Sequence, residues 1–141
     1  MDVIEQLRSE EGEILHAYQD HLGYWTIGVG IMIDKRKGGG ITKEESTYLL
    51  LNRVLAIQRK IETALPWTAS LNPARKAVLT GMAFQMGIDG LLGFKDTLRY
   101  ISAGDYKRAA RNMRASKWAK QTPGRADRMA TQMETGEWQV K

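Results

Sequence analysis

The sequence predicts an α+β protein that is mostly helical, with a short antiparallel sheet near the N-terminus. Two short β-prone runs, Ile14 to Gln19 and Tyr24 to Val29, are separated by DHLG, which indicates a hairpin. The IMID stretch that follows is a candidate third strand. From Thr42 onward, helix-start signals recur along the chain. A chain of 141 residues can form one domain with a core, or two small lobes that share one.

A first helix is predicted over residues 2–11, because its apolar residues share one helical face and Gly12 is a typical stop. This helix would place Glu11 at its C-terminal end. After the predicted strands, the segment KRKGGG at 35–40 has the composition of a loop.

A long helix is predicted over about residues 43–64. Thr42 and Glu45 have the spacing of a capping box at its start, and Leu65-Pro66 ends it. A helix of this length could join two lobes. Capping residues, two of them followed by proline, predict further helix starts at Asn72-Pro73, near Lys95, at Asp105 and at Thr122-Pro123.

The predicted elements form one domain over residues 1–141 with two lobes. A small β-rich lobe covers about 13–45, and a helical lobe covers about 60–141, to which we assign the first helix. Ligands often bind between lobes, and the stretch that carries Glu11 lies at the predicted junction.

Composition excludes some classes of function. There is no cysteine, so disulfides and thiolate metal sites are excluded. No cluster of other metal-ligating residues is visible in the sequence, so no cofactor or metal is expected. There is no apolar run of membrane-spanning length, and the N-terminus is acidic where a signal peptide would be basic, so we expect the chain to start in the cytoplasm. The net charge of +5 would attract polyanions without choosing among nucleic acid, anionic lipid and cell wall. Considered alone, the charge favours a solvated helix face.

Three residues near the N-terminus have the chemistry of glycoside hydrolysis, which commonly uses two carboxylates. Glu11 would feel the negative end of a helix dipole, which favours the protonated form that a general acid needs. Asp20, in an open turn, would stay ionised, and the hydroxyl of Thr26 could hold a water. The pattern alone favours the structural explanation, in which these residues are a surface acid, a turn former and a β-prone residue.

The order and spacing of these residues resemble the T4-type phage lysozymes. Glu11, Asp20 and Thr26 are separated by eight and five residues, and Thr26 lies in GYWTIGVG. The resemblance continues in family order through ITKEE, MAFQMG, GF, SKW, QTPGRADR and TGEW. It implies a lysozyme-like fold, with an α/β N-terminal lobe and a helical C-terminal lobe. It also implies an endolysin with muramidase activity, which hydrolyses the β-1,4 bond between N-acetylmuramic acid and N-acetylglucosamine of peptidoglycan with inversion and lyses the host.

The resemblance also assigns roles by motif position. Glu11 matches the general acid, Asp20 the carboxylate that activates the attacking water, and Thr26 the residue that holds that water. Arg125 matches an arginine that lies near the acid and would favour its ionised form, opposing the helix end. Positions that match saccharide-contacting residues of the family are Met32, Phe84, Thr97 and Asn112. Considered singly, Met32 and Phe84 could be core residues, Asn112 a surface cap and Arg125 a solvated charge.

The chain departs from the family pattern in two places. Ile31 stands where the family has a histidine, and Arg53 stands where it has the aspartate that pairs with that histidine. A segment between Lys35 and Ile41 is shorter than in typical members, so KRKGGG replaces a helix of the first lobe. We expect these departures to affect stability and saccharide affinity more than the chemistry.

Two alternative functions remain at this point. A lytic transglycosylase would form an anhydro product with mainly one glutamate, and the presence of Asp20 and Thr26 argues against it. A non-catalytic cell-wall-binding module would not need the three residues together, and no motif supports specific nucleic-acid binding. The resemblance implies a monomeric enzyme that waits in the host cytoplasm until a holin permeabilises the membrane, and then acts on the wall in the periplasm.

Overall fold

The computed structural model describes residues 2–141 and has the predicted α+β architecture. The helices and strands, in chain order, are α1 (Val3–Glu11), β1 (Ile14–Gln19), β2 (Trp25–Gly28), β3 (Ile31–Met32), α2 (Lys43–Ala64), a 3-10 helix (Pro66–Ser70), α3 (Pro73–Leu92), α4 (Lys95–Ser102), α5 (Tyr106–Arg114), α6 (Lys117–Gln121) and α7 (Pro123–Thr135). The chain divides into two compact units, one that ends at Leu51 and one from Asn52 to Lys141. The boundary falls within α2.

Helix α1 ends at Glu11 as predicted, and it begins at Val3, one residue after the predicted start, because Asp2 is its N-cap. The Asp2 carboxylate accepts a hydrogen bond from the Glu5 backbone N–H at 2.9 Å, and Glu5 accepts one from the Asp2 N–H at 3.0 Å. This reciprocal pair is a capping box. At the other end Gly12 has φ of 73°, a conformation that glycine adopts without strain, and the chain turns away after Glu11.

The sheet is a three-stranded antiparallel meander in the order β1-β2-β3, so the predicted hairpin and third strand are confirmed. Thr26 of β2 pairs with Tyr18 of β1 on one side and with Met32 of β3 on the other. The β1–β2 register is interrupted between Ile14 and Tyr18.

The predicted loop at 35–40 is organised around one carboxylate. Asp34 accepts hydrogen bonds from the Arg36 guanidinium at 2.9 Å, the Arg36 backbone N–H at 2.8 Å and the Gly40 N–H at 3.0 Å. The bond from the Arg36 side chain, helped by the two backbone N–H groups, holds the pKa of Asp34 well below its usual value. A short loop therefore closes over an ionised side chain.

Helix α2 has the start that the capping box predicts. The Thr42 hydroxyl accepts from the Glu45 N–H at 3.1 Å, and Glu45 accepts from the Thr42 N–H at 2.9 Å. The helix ends at Ala64, before the Leu65-Pro66 pair.

The hydrophobic core that the structure describes lies in the unit from Asn52 to Lys141. Helices α3, α4, α5 and α7 contribute most of its fully buried side chains, among them Val78, Leu79, Met82, Leu91, Ile101, Met113 and Met133. All four helices begin at the predicted positions. Asn72 and Asp105 cap α3 and α5 as expected, whereas Phe94 and Thr122 make no side-chain capping bond at the starts of α4 and α7. Two further elements, the 3-10 helix and α6, were not predicted.

Helix α3 is broken at Gly87, where φ is 81° and ψ is 164°. This backbone conformation is essentially restricted to glycine. The sequence around the break, MAFQMGIDGLL, carries apolar residues on both sides and gives no other stop signal.

Within residues 2–141, no single helix has the length and apolar composition to cross a membrane. Helices α3 and α4 reach that length and composition only when they are taken together, and the pair is bent by 100°. The same residues hold no group of three or more His, Cys, Asp and Glu side chains placed to bind a metal ion.

Candidate active site

Glu11, the predicted general acid, is the last residue of α1, and its side chain is exposed. The turn between β2 and β3 lies directly against it. A Cβ atom placed on Gly30 would be 2.6 Å from Glu11 Oε2 and 3.1 Å from Glu11 Cδ. The backbone of the turn therefore forms one side of the space in which the carboxyl sits.

Asp20, the second carboxylate, closes the turn between β1 and β2. Its Oδ1 accepts hydrogen bonds from the backbone N–H groups of Leu22 and Tyr24, both at 2.9 Å. The Tyr24 N–H makes the largest contribution to lowering the pKa of Asp20 below its ordinary value of 3.8. Asp20 is thus a turn former and an ionised carboxylate at the same time, because Oδ1 holds the turn while Oδ2 keeps its acceptor capacity.

Thr26 is buried within the sheet, with 4% of its surface exposed. Its hydroxyl donates to the Tyr24 carbonyl at 3.2 Å. A hydroxyl has one proton to donate and two lone pairs to accept with. Since the proton is committed to Tyr24, Thr26 faces any further ligand as an acceptor.

The backbone of Tyr24 links Asp20 to Thr26. Its N–H donates to the Asp20 carboxylate, and its carbonyl accepts from both the Asp20 N–H, at 2.8 Å, and the Thr26 hydroxyl. One peptide segment thus fixes the turn carboxylate and the strand hydroxyl together.

Met32 and Phe84, two predicted saccharide-contacting residues, do not belong to the buried core. Each leaves 47% of its surface exposed. Met32 is at the end of β3, and Phe84 is on α3 between the buried Ala83 and the exposed Gln85. The structure does not support the interpretation of these side chains as core residues.

Thr97 and Asn112, the other two predicted saccharide positions, are joined by a short hydrogen bond from the Thr97 hydroxyl to Asn112 Oδ1. Thr97 is buried with 1% exposure, whereas Asn112 is half-buried. Asn112 lines a cavity of about 470 Å³ with Phe94, Lys95 and Ser116. Because Oδ1 is occupied by Thr97, the amide presents its Nδ2 donors to other partners.

Arg125, at the start of α7, donates from Nη2 to the Gly81 carbonyl of α3 at 3.2 Å. The side chain is partly buried. This bond ties the two helices, so Arg125 is more than one solvated charge.

The sequence did not identify the backbone around these side chains. Nothing in the residue type of Tyr24 indicates that its N–H and carbonyl hold Asp20 and Thr26. Gly30 is the second glycine of the GVG stretch, but the sequence does not indicate that Glu11 lies against it.

Comparison with known proteins gives the family. The phage lysozyme family matches residues 8–132. The chain is 31% identical to Probable T4-type lysozyme 1 of Dictyostelium discoideum, over 94% of this chain and 93% of that protein. It is 34% identical to the Pre-baseplate central spike protein Gp5 of Enterobacteria phage T4, over 96% of this chain, but it spans only 28% of that protein's length.

The fold and the comparisons agree on the class, which is that of the lysozymes, a group of glycoside hydrolases. The chain belongs to the phage lysozyme family. The resemblance that the motifs indicated is therefore confirmed.

Proposed function

We propose that this lysozyme hydrolyses the β-1,4 bond between N-acetylmuramic acid and N-acetylglucosamine in bacterial peptidoglycan, with inversion. The proposal rests on two hydrogen-bond acceptors, the Asp20 carboxylate and the Thr26 hydroxyl, which are both held by the backbone of Tyr24. Two backbone N–H groups hold the Asp20 carboxylate in its ionised form, and the Thr26 hydroxyl donates its proton to the Tyr24 carbonyl. A water molecule bound between two acceptors donates both protons to them and turns a lone pair toward the sugar.

The chemical step follows from these roles. Glu11 donates its proton to the glycosidic oxygen as the bond from that oxygen to the anomeric carbon breaks. The water oxygen forms the new bond to the anomeric carbon from the opposite face, and its proton passes to Asp20. Attack from the opposite face inverts the configuration of that carbon.

The saccharide chain would contact Met32, Phe84 and Asn112. The exposed Met32 and Phe84 side chains offer apolar surface, to which the faces of sugar rings can pack. Asn112 offers Nδ2 donors that suit the carbonyl oxygen of an acetamido group. Thr97 is too deeply buried to be offered as a direct contact, and we assign it the role of holding the Asn112 amide in this orientation.

The biological role that fits this activity is lysis of the bacterial host at the end of a phage infection. In this role the enzyme would collect in the host cytoplasm and reach the periplasmic wall after a holin opens the membrane. The likeness to a pre-baseplate central spike protein supports a second role, in which such a domain acts on the wall as part of a phage particle.

The test is glycan cleavage by wild-type protein and by Glu11→Gln. The amide keeps the size of the side chain but cannot donate an acidic proton. We expect the variant to keep its fold, judged by circular dichroism, and to lose fragment release from purified peptidoglycan by at least about 100-fold, the lower end of a general acid's contribution. Undiminished release would contradict the assignment of Glu11.

A further inference from the structure

We propose that Gly30 is a positioning residue for the general acid: the absence of a side chain at this position gives the Glu11 carboxyl the place from which it donates its proton. The inference rests on the function proposed above. It begins with a close approach between two segments of the first unit, the end of α1 and the turn from β2 to β3. An ideal Cβ on Gly30 would lie 2.6 Å from Glu11 Oε2, 3.1 Å from Cδ and 3.3 Å from Cβ.

The Cβ, Cδ and Oε2 atoms of Glu11 thus all lie within 3.3 Å of the place that a Gly30 side chain would occupy. The contact is not with the tip of the carboxyl alone. The turn therefore limits the torsion angles that Glu11 can adopt, and with them the direction in which its carboxyl points.

Backbone conformation alone would not account for this arrangement. Gly30 has φ of 63°, which favours glycine for a local reason. Gly28, two residues earlier in the same hairpin, has φ of 68°, and a Cβ placed there would meet nothing within 4 Å. Both glycines have a positive φ, but only Gly30 also lies against the Glu11 side chain.

The atoms involved decide what a methyl group at Gly30 would do. The nearest one, Oε2, is the far end of a side chain that is exposed and can rotate. Rotation of Glu11 relieves the contacts with Oε2 and Cδ at lower cost than movement of the turn, because the turn is fixed on both sides by paired strands. The Glu11 Cβ does not move on rotation, and its contact at 3.3 Å requires only a small local adjustment. A carboxyl oxygen 2.6 Å from the new methyl group must move by roughly 1 Å to reach ordinary contact distance.

Such a displacement affects the reaction rather than binding. A misplacement of about 1 Å can reduce a rate by about 100-fold. Sugar contacts made elsewhere are unaffected, so the loss should appear in kcat while KM stays nearly the same.

The experiment compares Gly30→Ala with Gly28→Ala, which imposes the same strain of positive φ without a neighbour. Both variants are assayed for kcat and KM on purified peptidoglycan, at a temperature at which circular dichroism shows each to be folded. Crystal structures of both are then determined. We expect kcat of Gly30→Ala to fall by about 100-fold with KM within about threefold, and kcat of Gly28→Ala to stay within about threefold of wild type. In the Gly30→Ala structure the Glu11 carboxyl should have moved while the turn remains in place.

Three results would overturn the proposal. The first is equal kcat values for the two variants. The second is a Glu11 carboxyl that has not moved. The third is a Gly30→Ala protein that does not fold while Gly28→Ala does, because the proposal requires the side chain and not the backbone to yield. Failure of the proposed function itself is a different result, namely wild-type protein that releases no fragments, and the two crystal structures would still show whether Gly30 positions Glu11.

Discussion

Asp20 holds the turn between β1 and β2, and we propose that the same side chain takes part in the reaction. Its Oδ1 accepts from two backbone N–H groups of the turn, and these bonds also favour its charged form. Since its pKa lies below the ordinary value of 3.8, Asp20 stays ionised across the neutral and mildly acidic range. The stabilisation that its charged form gives to the turn is fully present at pH values above the ordinary pKa of 3.8. It is lost as the pH falls through the lowered pKa.

The variant Asp20→Asn separates these two tasks. The amide oxygen can still accept from Leu22 and Tyr24, whereas the negative charge and the ability to take a proton are lost. We expect a small fall in melting temperature, because the bonds remain while the charge that strengthens them is lost, and a fall in the rate of fragment release by about 100-fold or more. The matched variant Asp20→Ala should lose both activity and stability. An active Asp20→Asn protein would contradict the role of Asp20 as the base.

The hydrogen bond between Thr97 and Asn112 gives a second test for single residues. Thr97→Val keeps the shape of the side chain but removes the hydroxyl, so Asn112 is free to turn its amide. We expect KM to rise severalfold with kcat little changed, since the loss concerns binding. The free energy of unfolding should change by no more than about 1 kcal/mol, because the half-buried Asn112 can bond to water instead. Thr97→Ser keeps the hydroxyl and should resemble wild type. A KM unchanged in Thr97→Val would contradict the positioning role.

At the scale of elements, the sequence was most informative where capping residues mark a boundary. Asp2, Thr42, Asn72 and Asp105 each accept a hydrogen bond from the first turn of the helix that follows. These are local interactions between residues three positions apart, so the sequence contains all the information needed. The hairpin was predictable because its two β-prone runs and the DHLG turn between them are adjacent in the sequence.

The elements that sequence reasoning missed depend on the conformation of single residues. Helix α6 has only five residues and too few apolar positions for a periodic pattern, although its Ser116 cap accepts from the Ala119 N–H at 3.1 Å. Gly87 lies between the apolar residues Met86 and Ile88, where glycine is compatible with both a straight and a broken helix. The contact between Gly30 and Glu11 joins residues 19 positions apart and cannot be read from either segment alone.

The break in α3 can be tested with two glycines of the same helix. Gly87→Ala introduces a better helix former at a position with φ of 81°, and we expect it to destabilise the protein by about 1–3 kcal/mol. Gly81→Ala is the control. A Cβ there meets nothing nearer than Arg125 Nη2 at 3.9 Å, so this change should be neutral or stabilising by about 0.5–1 kcal/mol. Urea denaturation measures both. A stabilised Gly87→Ala protein would contradict the broken helix.

At the scale of the whole molecule, the net charge of +5 agrees in sign with an anionic wall polymer as the substrate. The charge does not identify the reaction. That assignment depends on the family match and on the three residues near the N-terminus. It also depends on water as the acceptor, which separates hydrolysis from the transglycosylase alternative.

The most direct test of this central claim is mass spectrometry of the fragments that wild-type protein releases from purified peptidoglycan. If Asp20 and Thr26 activate water, every new reducing end will be an N-acetylmuramic acid, and each cleaved bond will add the mass of one water to the fragments. Anhydro ends would contradict the account, because they form without water and would leave Glu11 as the residue that carries the chemistry.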